Sequence, residues 1–328
     1  MKKNDGKDVR KMKISVVIST YNGEKYILNQ LKSINEQTRK ADEVIISDDC
    51  SSDSTVDIVE MFIEKNKLNN WIVIKNKINK GWRKNFFDLM TLASGDIIFT
   101  CDQDDIWYKF KLEKMTKEMQ NNAGIGVLAS DYDTFSETRI KKRKKRNSYK
   151  VKKIQPKYNF MNVSFPGCVY CIRKSFFLSI KPYWKDNFPH DGFLWRFSML
   201  SDQLYYFDCS TIMQRKHENS SYTKESKLSR NYETKLNGIS YVEDTINALQ
   251  KYIQDKSLSS KAVYNILDDA KKWNNGRKKF YDSKKYRDWF FLIKYIRSYS
   301  TIKKYILDLF VVTKYRKEKC DESNGALT

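Results

Sequence analysis

Ile14 to Thr20 is an unbroken run of β-branched and small residues, the types that fit a pleated, buried strand. Tyr26, Ile27, Leu31 and Ile34 then recur at helical spacing before a second strand, Glu43 to Ser47. The alternation continues. Ser52 caps a predicted helix striped by Val56, Val59 and Ile63; Trp71 to Lys75 is a third strand; Phe86, Leu89 and Ala93 stripe the next helix; Asp96 to Thr100 is a fourth strand. This order from Lys13 to about Ser130 is the βαβ signature, and it predicts an α/β fold with a mostly parallel central sheet flanked by helices.

Between Asp131 and Pro156 the chain turns polar and basic, with a charge run from Arg139 to Arg146 that reads as an exposed, solvated loop or extended hairpin. From Tyr232 to Lys314 helical spacing dominates, in a stretch rich in Lys, Tyr, Trp and Phe that includes Trp289-Phe290-Phe291-Leu292-Ile293. That predicts a C-terminal helical region. The expected division is a charged segment at 1–12, an α/β domain at 13–225, basic aromatic helices at 226–316 and a disordered tail at 317–328.

Composition sharpens this picture in three ways. With 328 residues, 40% hydrophobic and only 4 Pro and 11 Gly, the chain can bury a sizeable core. Its formal charge of +22 attracts anions, whether nucleotide phosphates, nucleic acid or an acidic membrane leaflet. No stretch approaches the ~20 apolar residues of a spanning helix, and Met1 to Lys13 lacks the apolar core of a secretory signal. The expectation is a cytoplasmic chain with reduced cysteines. Cys168 and Cys171 form one isolated Cys-x-x-Cys, read as buried structural thiols rather than zinc ligands.

In an open parallel sheet, ligands bind beyond the carboxyl ends of the strands. Strand one ends in Ser19-Thr20-Tyr21-Asn22-Gly23, strand two in Asp48-Asp49, strand three leads to Asn79-Lys80-Gly81-Trp82-Arg83, and strand four to Asp102-Gln103-Asp104-Asp105. Asp102 and Asp104, two apart in an extended segment, project to one side and can offer oxygens to one Mn²⁺ or Mg²⁺. Alternatively they cap a turn. Asp49 can accept hydrogen bonds from a base or ribose, or simply form a turn, and Tyr21 can stack on a base or belong to the core. Arg83 and Lys84, with the backbone around Gly81, can reach phosphates at a helix N-terminus. Asn22 and Asn79 join them as donor-side candidates.

Only two histidines are present, both in polar contexts. His190-Asp191 precedes a helical stretch containing Trp195, so Asp191 is a helix cap or a general base. His217, in Arg215-Lys216-His217-Glu218-Asn219, is a metal ligand, a donor to a diphosphate or a surface imidazole.

Taken in order and spacing, Val-Val-Ile-Ser-Thr-Tyr-Asn-Gly at 16–23, Ile-Ile-Ser-Asp-Asp-Cys-Ser-Ser-Asp at 45–53 and Ala-Ser-Gly-Asp-Ile-Ile-Phe-Thr-Cys-Asp-Gln-Asp-Asp-Ile-Trp at 93–107 resemble the family 2 glycosyltransferases, which have the GT-A fold. The likeness covers roughly Lys13 to Tyr222. It implies that Ser19, Tyr21 and Asp49 contact the nucleoside, that Asp102 and Asp104 serve metal and donor, and that Asp191 is the catalytic base of an inverting reaction. His190 lies in what looks like the acceptor-side motif, to which Gly167 and Trp195 are also assigned. Arg215, His217 and Asn219 resemble a Tyr-Arg-x-His-x-x-Asn segment closing over the diphosphate, with Gln214 in place of its aromatic residue.

The form Asp-Gln-Asp-Asp-Ile-Trp is similar to that of members assigned to rhamnosyl or galactosyl transfer in bacterial capsule and surface polysaccharide assembly. Such a resemblance implies a nucleoside-diphosphate sugar donor, dTDP-rhamnose or a UDP-hexose, and an oligosaccharide acceptor on a polyprenyl diphosphate. The C-terminal helices would then lie peripherally on the anionic inner leaflet, or else form a cap or a homodimer interface.

Three rival readings stand beside it. A sugar-nucleotide pyrophosphorylase needs a Gly-rich basic loop after strand one, which Tyr21-Asn22-Gly23-Glu24 lacks. Specific nucleic-acid binding fits the charge, yet no recognised module accompanies it. A non-catalytic nucleotide-sugar scaffold is disfavoured by the intact Asp102, Asp104 and Asp191.

Overall fold

The computed structural model describes residues 12–136, 138–143, 147–216, 231–258 and 260–325. Three βα repeats and a fourth strand open the chain: β1 (Ile14–Thr20), α1 (Ile27–Asn35), β2 (Glu43–Asp48), α2 (Thr55–Asn66), β3 (Trp71–Lys75), α3 (Trp82–Leu92) and β4 (Ile97–Asp102). They are followed by β5 (Ile106–Trp107), α4 (Lys111–Asn121), β6 (Val127–Phe135), β7 (Ile140–Lys141) and β8 (Val151–Lys153). A 3₁₀ turn at Gly167–Val169 leads into β9 (Tyr170–Arg173), α5 (Lys174–Ile180), α6 (His190–Leu200) and β10 (Leu204–Arg215).

These strands form one sheet in the order β3-β2-β1-β4-β9-β6-β10-β5. Its first four strands are parallel, and β1 lies between β2 and β4 with Ser19 in register with Asp102. The chain runs outward to β3 and then crosses back to β4, so the carboxyl ends of β1 and β4 flank a switch point where a crevice opens. The core strands read as continuous apolar runs because both faces are covered: Ile14, Val16, Val17 and Ile18 are all 0% exposed. Each such side chain contributes about 1.5–3 kcal/mol on burial.

The sheet is less uniformly parallel than the βαβ pattern predicts. β9 is antiparallel to both β4 and β6, while β10 runs parallel to β6 and antiparallel to β5 and β8. The consequence is local: an antiparallel β9 begins beside the carboxyl end of β4, which delivers the Gly167–Val169 turn to the crevice.

Ser52 is not the cap of α2. Its N–H and hydroxyl bind Asn22 Oδ1, while Asp53 accepts from the Thr55 amide at the helix start. The buried stripe accordingly shifts to Thr55, Val59 and Phe62. Nor is the basic run only solvated. Arg143 places Nε 2.7 Å from Asp131 and Nη2 on Asp208 and the Tyr206 hydroxyl, because strands β6 and β10 bring those carboxylates together. Arg139 to Lys142 are exposed as expected, and Lys144 to Arg146 lie outside the described residues.

The C-terminal region comprises α7 (Tyr232–Asp255), α8 (Lys261–Ser283), α9 (Tyr286–Phe291), a 3₁₀ segment at Leu292–Ser298 and α10 (Ile302–Gly325). The last helix thus continues past residue 316. Inside this bundle Asp308, 1% exposed, accepts from Arg277 Nε at 2.8 Å and from the hydroxyls of Tyr281 and Tyr299 at 2.9 and 3.0 Å. Helix α7 is tied to the α/β unit. Asp244 accepts from Lys185 Nζ (2.7 Å) and Asn187 (3.1 Å), the Tyr183 hydroxyl donates to Asp255 (2.8 Å), and Arg196 bonds the Tyr241 hydroxyl. Among the described residues no helix is long and apolar enough to cross a membrane.

Candidate active site

The four strand ends meet as expected, and a hydrogen-bond network explains how. Asn85 of α3 donates to Ser19 Oγ (2.8 Å) and to the Ser47 carbonyl (2.9 Å), and accepts from Ser47 Oγ and Asn76. Asp49 Oδ1 accepts from Asn76 (3.1 Å) and from the Lys80 amide (2.9 Å), which fixes the 76–80 loop beside β2. Asp49 is buried at 2% exposure, as is its neighbour Asp48 at 3%, which is spent on Thr20 and Ser51.

Tyr21 is 48% exposed at the mouth, so it is no core ring. Its backbone is clasped by Gln103, whose Oε1 accepts from the Tyr21 N–H (2.8 Å) while Nε2 donates to its carbonyl (3.0 Å). A Cβ at Gly23 would come within 2.6 Å of Gln103 Cδ, so this clasp needs the glycine. Asn22 sits at φ 46°, a left-handed position that asparagine tolerates, and its amide oxygen is used on Ser52. Asn79 likewise turns its oxygen onto the Gly81 amide (2.9 Å), and Gly81, at φ 80°, opens α3. Both asparagines therefore shape loops. The Arg83 guanidinium lies 4.7 Å from the Trp82 ring.

Asp102 ends β4 and is half-buried, with Asp104 on the following turn. Asp105 points inward at 1% exposure: Oδ1 accepts from the Arg215 amide (2.9 Å), and Oδ2 is buried without a hydrogen-bond partner. Arg215 returns Nε to the Asp104 carbonyl (2.9 Å), and its guanidinium is held between the rings of Tyr26 and Phe135 at 4.4 and 4.3 Å. Burial and then the charge of Asp104 push Asp102 up to about 7, and Asp191 adds to that push. Burial, then Asp102 and Asp104, push Asp105 well above the usual carboxylate range. One ligand atom from each of Asp102, Asp105 and Cys168 lies within 4.8 Å of the others.

Carboxylates crowded this closely, one with an orphaned oxygen, fit a hard divalent cation that would relieve their mutual repulsion. The Cys168 thiol, pushed well above its ordinary pKa first by burial and then by Asp105, stays protonated and is a poor partner for such an ion. His217 and Asn219, the remaining members of the Arg215 motif, lie outside the described residues.

Three residues of this site escape sequence reasoning: Asp105, Cys168 and Lys111. Lys111 is 0% exposed, donates to the Cys168 carbonyl (2.7 Å) and lies 4.1 Å from the Trp107 ring centroid. Burial draws its ammonium down to about 8. The available signal was its place on the buried stripe Lys111, Met115, Met119 of α4, where a lysine is out of character.

Across the crevice, Asp191 opens α6 and accepts from the Gly192 amide (2.6 Å). His190 is 3% exposed, 4.1 Å from the Phe86 ring, with both ring nitrogens unpartnered. Burial lowers it to about 4, so the imidazole is neutral. Gly167 touches this pair directly, since a Cβ there would overlap His190 Nε2. Trp195 is a correction: at 2% exposure, 5.9 Å from Phe165, it belongs to the core of a helix whose residues from Gly192 to Leu200 are all buried.

The sequence profile of Glycosyl transferase family 2 matches residues 15–185, the span that carries this crevice. The chain belongs to glycosyl transferase family 2. As a relative, the dTDP-rhamnosyl transferase RfbG of Shigella flexneri is 33% identical over 217 residues, covering 62% of this chain and 72% of that one. The uncharacterized glycosyltransferase MJ1057 of Methanocaldococcus jannaschii is 35% identical over 150 residues, about half of its length at 51%.

In overall fold this family 2 enzyme is similar to residues 1–349 of S. aureus TarS in complex with UDP-GlcNAc, with a TM-score of 0.58 at 19% identity over 94% of this chain and 92% of that one. Taken with the family match, the mixed α/β sheet flanked by helices and the C-terminal helical region make it a GT-A glycosyltransferase.

Proposed function

We propose that this glycosyltransferase moves a sugar from a nucleoside-diphosphate sugar to a hydroxyl of a growing, lipid-linked surface or capsular oligosaccharide, with inversion at the anomeric carbon. The observation that carries the reading is that one turn touches both sides: a Cβ on Gly167 would lie 3.1 Å from Asp191 Cβ, and the next residue, Cys168, has its thiol within 4.8 Å of an Asp102 carboxylate oxygen. A candidate base and an acidic donor-side motif therefore share one crevice.

In this reading Ser19, Tyr21 and Asp49 receive the nucleoside, and the Arg83 and Arg215 guanidiniums face the diphosphate. Asp102 and Asp104 would hold Mn²⁺ or Mg²⁺, with His217 proposed as a further ligand, and such a cation would supply charge neutralisation for a leaving diphosphate. Asp191 takes the proton of the acceptor hydroxyl as that oxygen attacks the anomeric carbon. The bond from that carbon to the diphosphate oxygen breaks on the opposite face. The neutral His190, buried beside Asp191 against Phe86, places no charge next to the proposed base. The donor proposed is dTDP-rhamnose, supported by the name of the Shigella flexneri relative.

Thermal shift against UDP-, dTDP- and GDP-sugars, each with and without Mn²⁺, tests the donor, because a ligand bound only by the folded state raises the melting temperature. The expected result is stabilisation by the dTDP compound that requires the metal and disappears in Asp104→Ala. Turnover of Asp191→Asn and the anomeric configuration of the product test the mechanism. Undiminished turnover or a retained configuration would sink it.

A further inference from the structure

The exposed surface of α9, the 3₁₀ segment after it and α10 has a composition that the catalytic reading does not use. Ile302, Ile306 and Phe310 recur every four residues along α10 and are 57%, 53% and 60% exposed, so they form one outward stripe. Phe290 and Ile293, at 61% and 59%, are exposed large apolar side chains of the preceding elements. The inner side of α10 is occupied by Tyr305, Asp308 and Val312, all buried. Trp289 stacks on Tyr305 at 4.5 Å and donates its indole N–H to the Tyr305 carbonyl (3.1 Å), which joins α9 rigidly to the start of α10.

Charge along this stretch has one exposed sign. Between Lys284 and Lys317 the only acidic residues are Asp288 and Asp308. Both face inward, at 6% and 1% exposure: Asp288 accepts from Ser283, and Asp308 from Arg277. Lys294 and Lys303, both exposed, stand next in sequence to Ile293 and Ile302 of the apolar surface. Exposed large apolar side chains in a cluster mark a binding surface, and a basic surround specifies an anionic partner.

We infer that this α9–α10 face docks on an anionic lipid bilayer, with Phe290, Ile293, Ile302, Ile306 and Phe310 entering the headgroup boundary and the surrounding lysines meeting lipid phosphates. A bilayer interface offers hydrocarbon and anionic charge in the order this face needs them. A second copy of the same face would bring like charges together, and nucleic acid would leave the isoleucine stripe in water. The inference rests on the proposed lipid-linked acceptor for its purpose only, since docking requires no turnover.

Co-sedimentation of the full chain with vesicles of equal parts phosphatidylglycerol and phosphatidylcholine, against phosphatidylcholine alone, tests it. Expected is binding to the anionic vesicles that weakens with added salt. It should fall about tenfold or more in Ile306→Ser/Phe310→Ser and comparably in Lys294→Glu/Lys303→Glu, as removal of two partly inserted side chains or reversal of two charges requires. All four positions are on the surface, and an unchanged donor-induced thermal shift in each variant confirms an intact fold. Equal binding to neutral vesicles, wild-type affinity in both variants, or a dimer by light scattering that Ile306→Ser/Phe310→Ser dissolves while vesicle binding is absent would overturn the inference.

Discussion

Gly167 leaves open the space that His190 Nε2 occupies: a Cβ at 167 would overlap that nitrogen and lie 3.1 Å from Asp191 Cβ. The turn before β9 therefore sets where the segment bearing the proposed base can sit. Gly167→Ala should displace His190 and Asp191 at an overpacking cost of about 1–3 kcal/mol. Turnover is expected to fall at least roughly tenfold, as a small misplacement of a reacting group does, while the metal-linked thermal shift with donor persists. Wild-type turnover in the variant would show that the segment is positioned by something else.

His190 also makes stability depend on pH. Its folded value is about 4 against an ordinary 6.5, because burial disfavours the charged imidazole and Asp191 only partly compensates. Between those values the unfolded chain binds a proton that the folded chain refuses. Stability therefore falls as pH drops from about 6.5 to about 4, by roughly 3 kcal/mol at most, and this contribution levels off below. Melting temperature against pH for wild type and His190→Gln checks this, with a flatter slope expected in the variant over that window.

Asp244 on α7 holds Lys185 and Asn187, which lie just before the base-bearing helix. The Lys185 hydrogen bond, against the opposing effect of partial burial, keeps the Asp244 carboxyl below its usual range. A pair this exposed contributes only about 0–1 kcal/mol. Asp244→Ala should thus change the melting temperature little, yet lower kcat several-fold with donor affinity unchanged, since the 185–187 loop loses its anchor. A fall in donor affinity instead of kcat would place the effect elsewhere.

Asp308 is the central acceptor of the C-terminal bundle. Burial pushes its carboxyl up, but the charge and hydrogen bonds of Arg277, with help from Lys235 and Tyr281, outweigh this and hold it below the usual carboxylate range. Asp308→Asn would leave Arg277 buried and uncompensated, at a cost of about 3–5 kcal/mol in urea denaturation. The sign with pH follows: the carboxylate's contribution is complete above the unfolded value near 4 and is lost as pH falls through the lower folded value. Acid sensitivity below pH 4 should accordingly be smaller in Asp308→Asn than in wild type.

How far the chain could be read varied with the range of the interactions involved. β1 is recovered with its bounds because a strand covered on both faces is a local apolar run. Ser52 does not cap α2 because it is drawn to Asn22 in the loop after the neighbouring strand β1, a contact between residues distant in sequence. Trp195 is expected on the acceptor side but lies in the core, since nearly every residue of α6 is buried and the helix carries no polar side to set a direction.

What the sequence determined by itself is the order of elements, the parallel first half of the sheet and the residue types at its four carboxyl ends. Hydrophobic period and turn chemistry act over a few residues and are visible in one dimension. The tertiary structure alone decided the antiparallel β9, the approach of Gly167 to His190, the burial of Lys111 and the ion pairing of Arg143 with Asp131 and Asp208. Each depends on a pairing between segments far apart in the chain, where register and packing choose among partners that composition leaves equivalent.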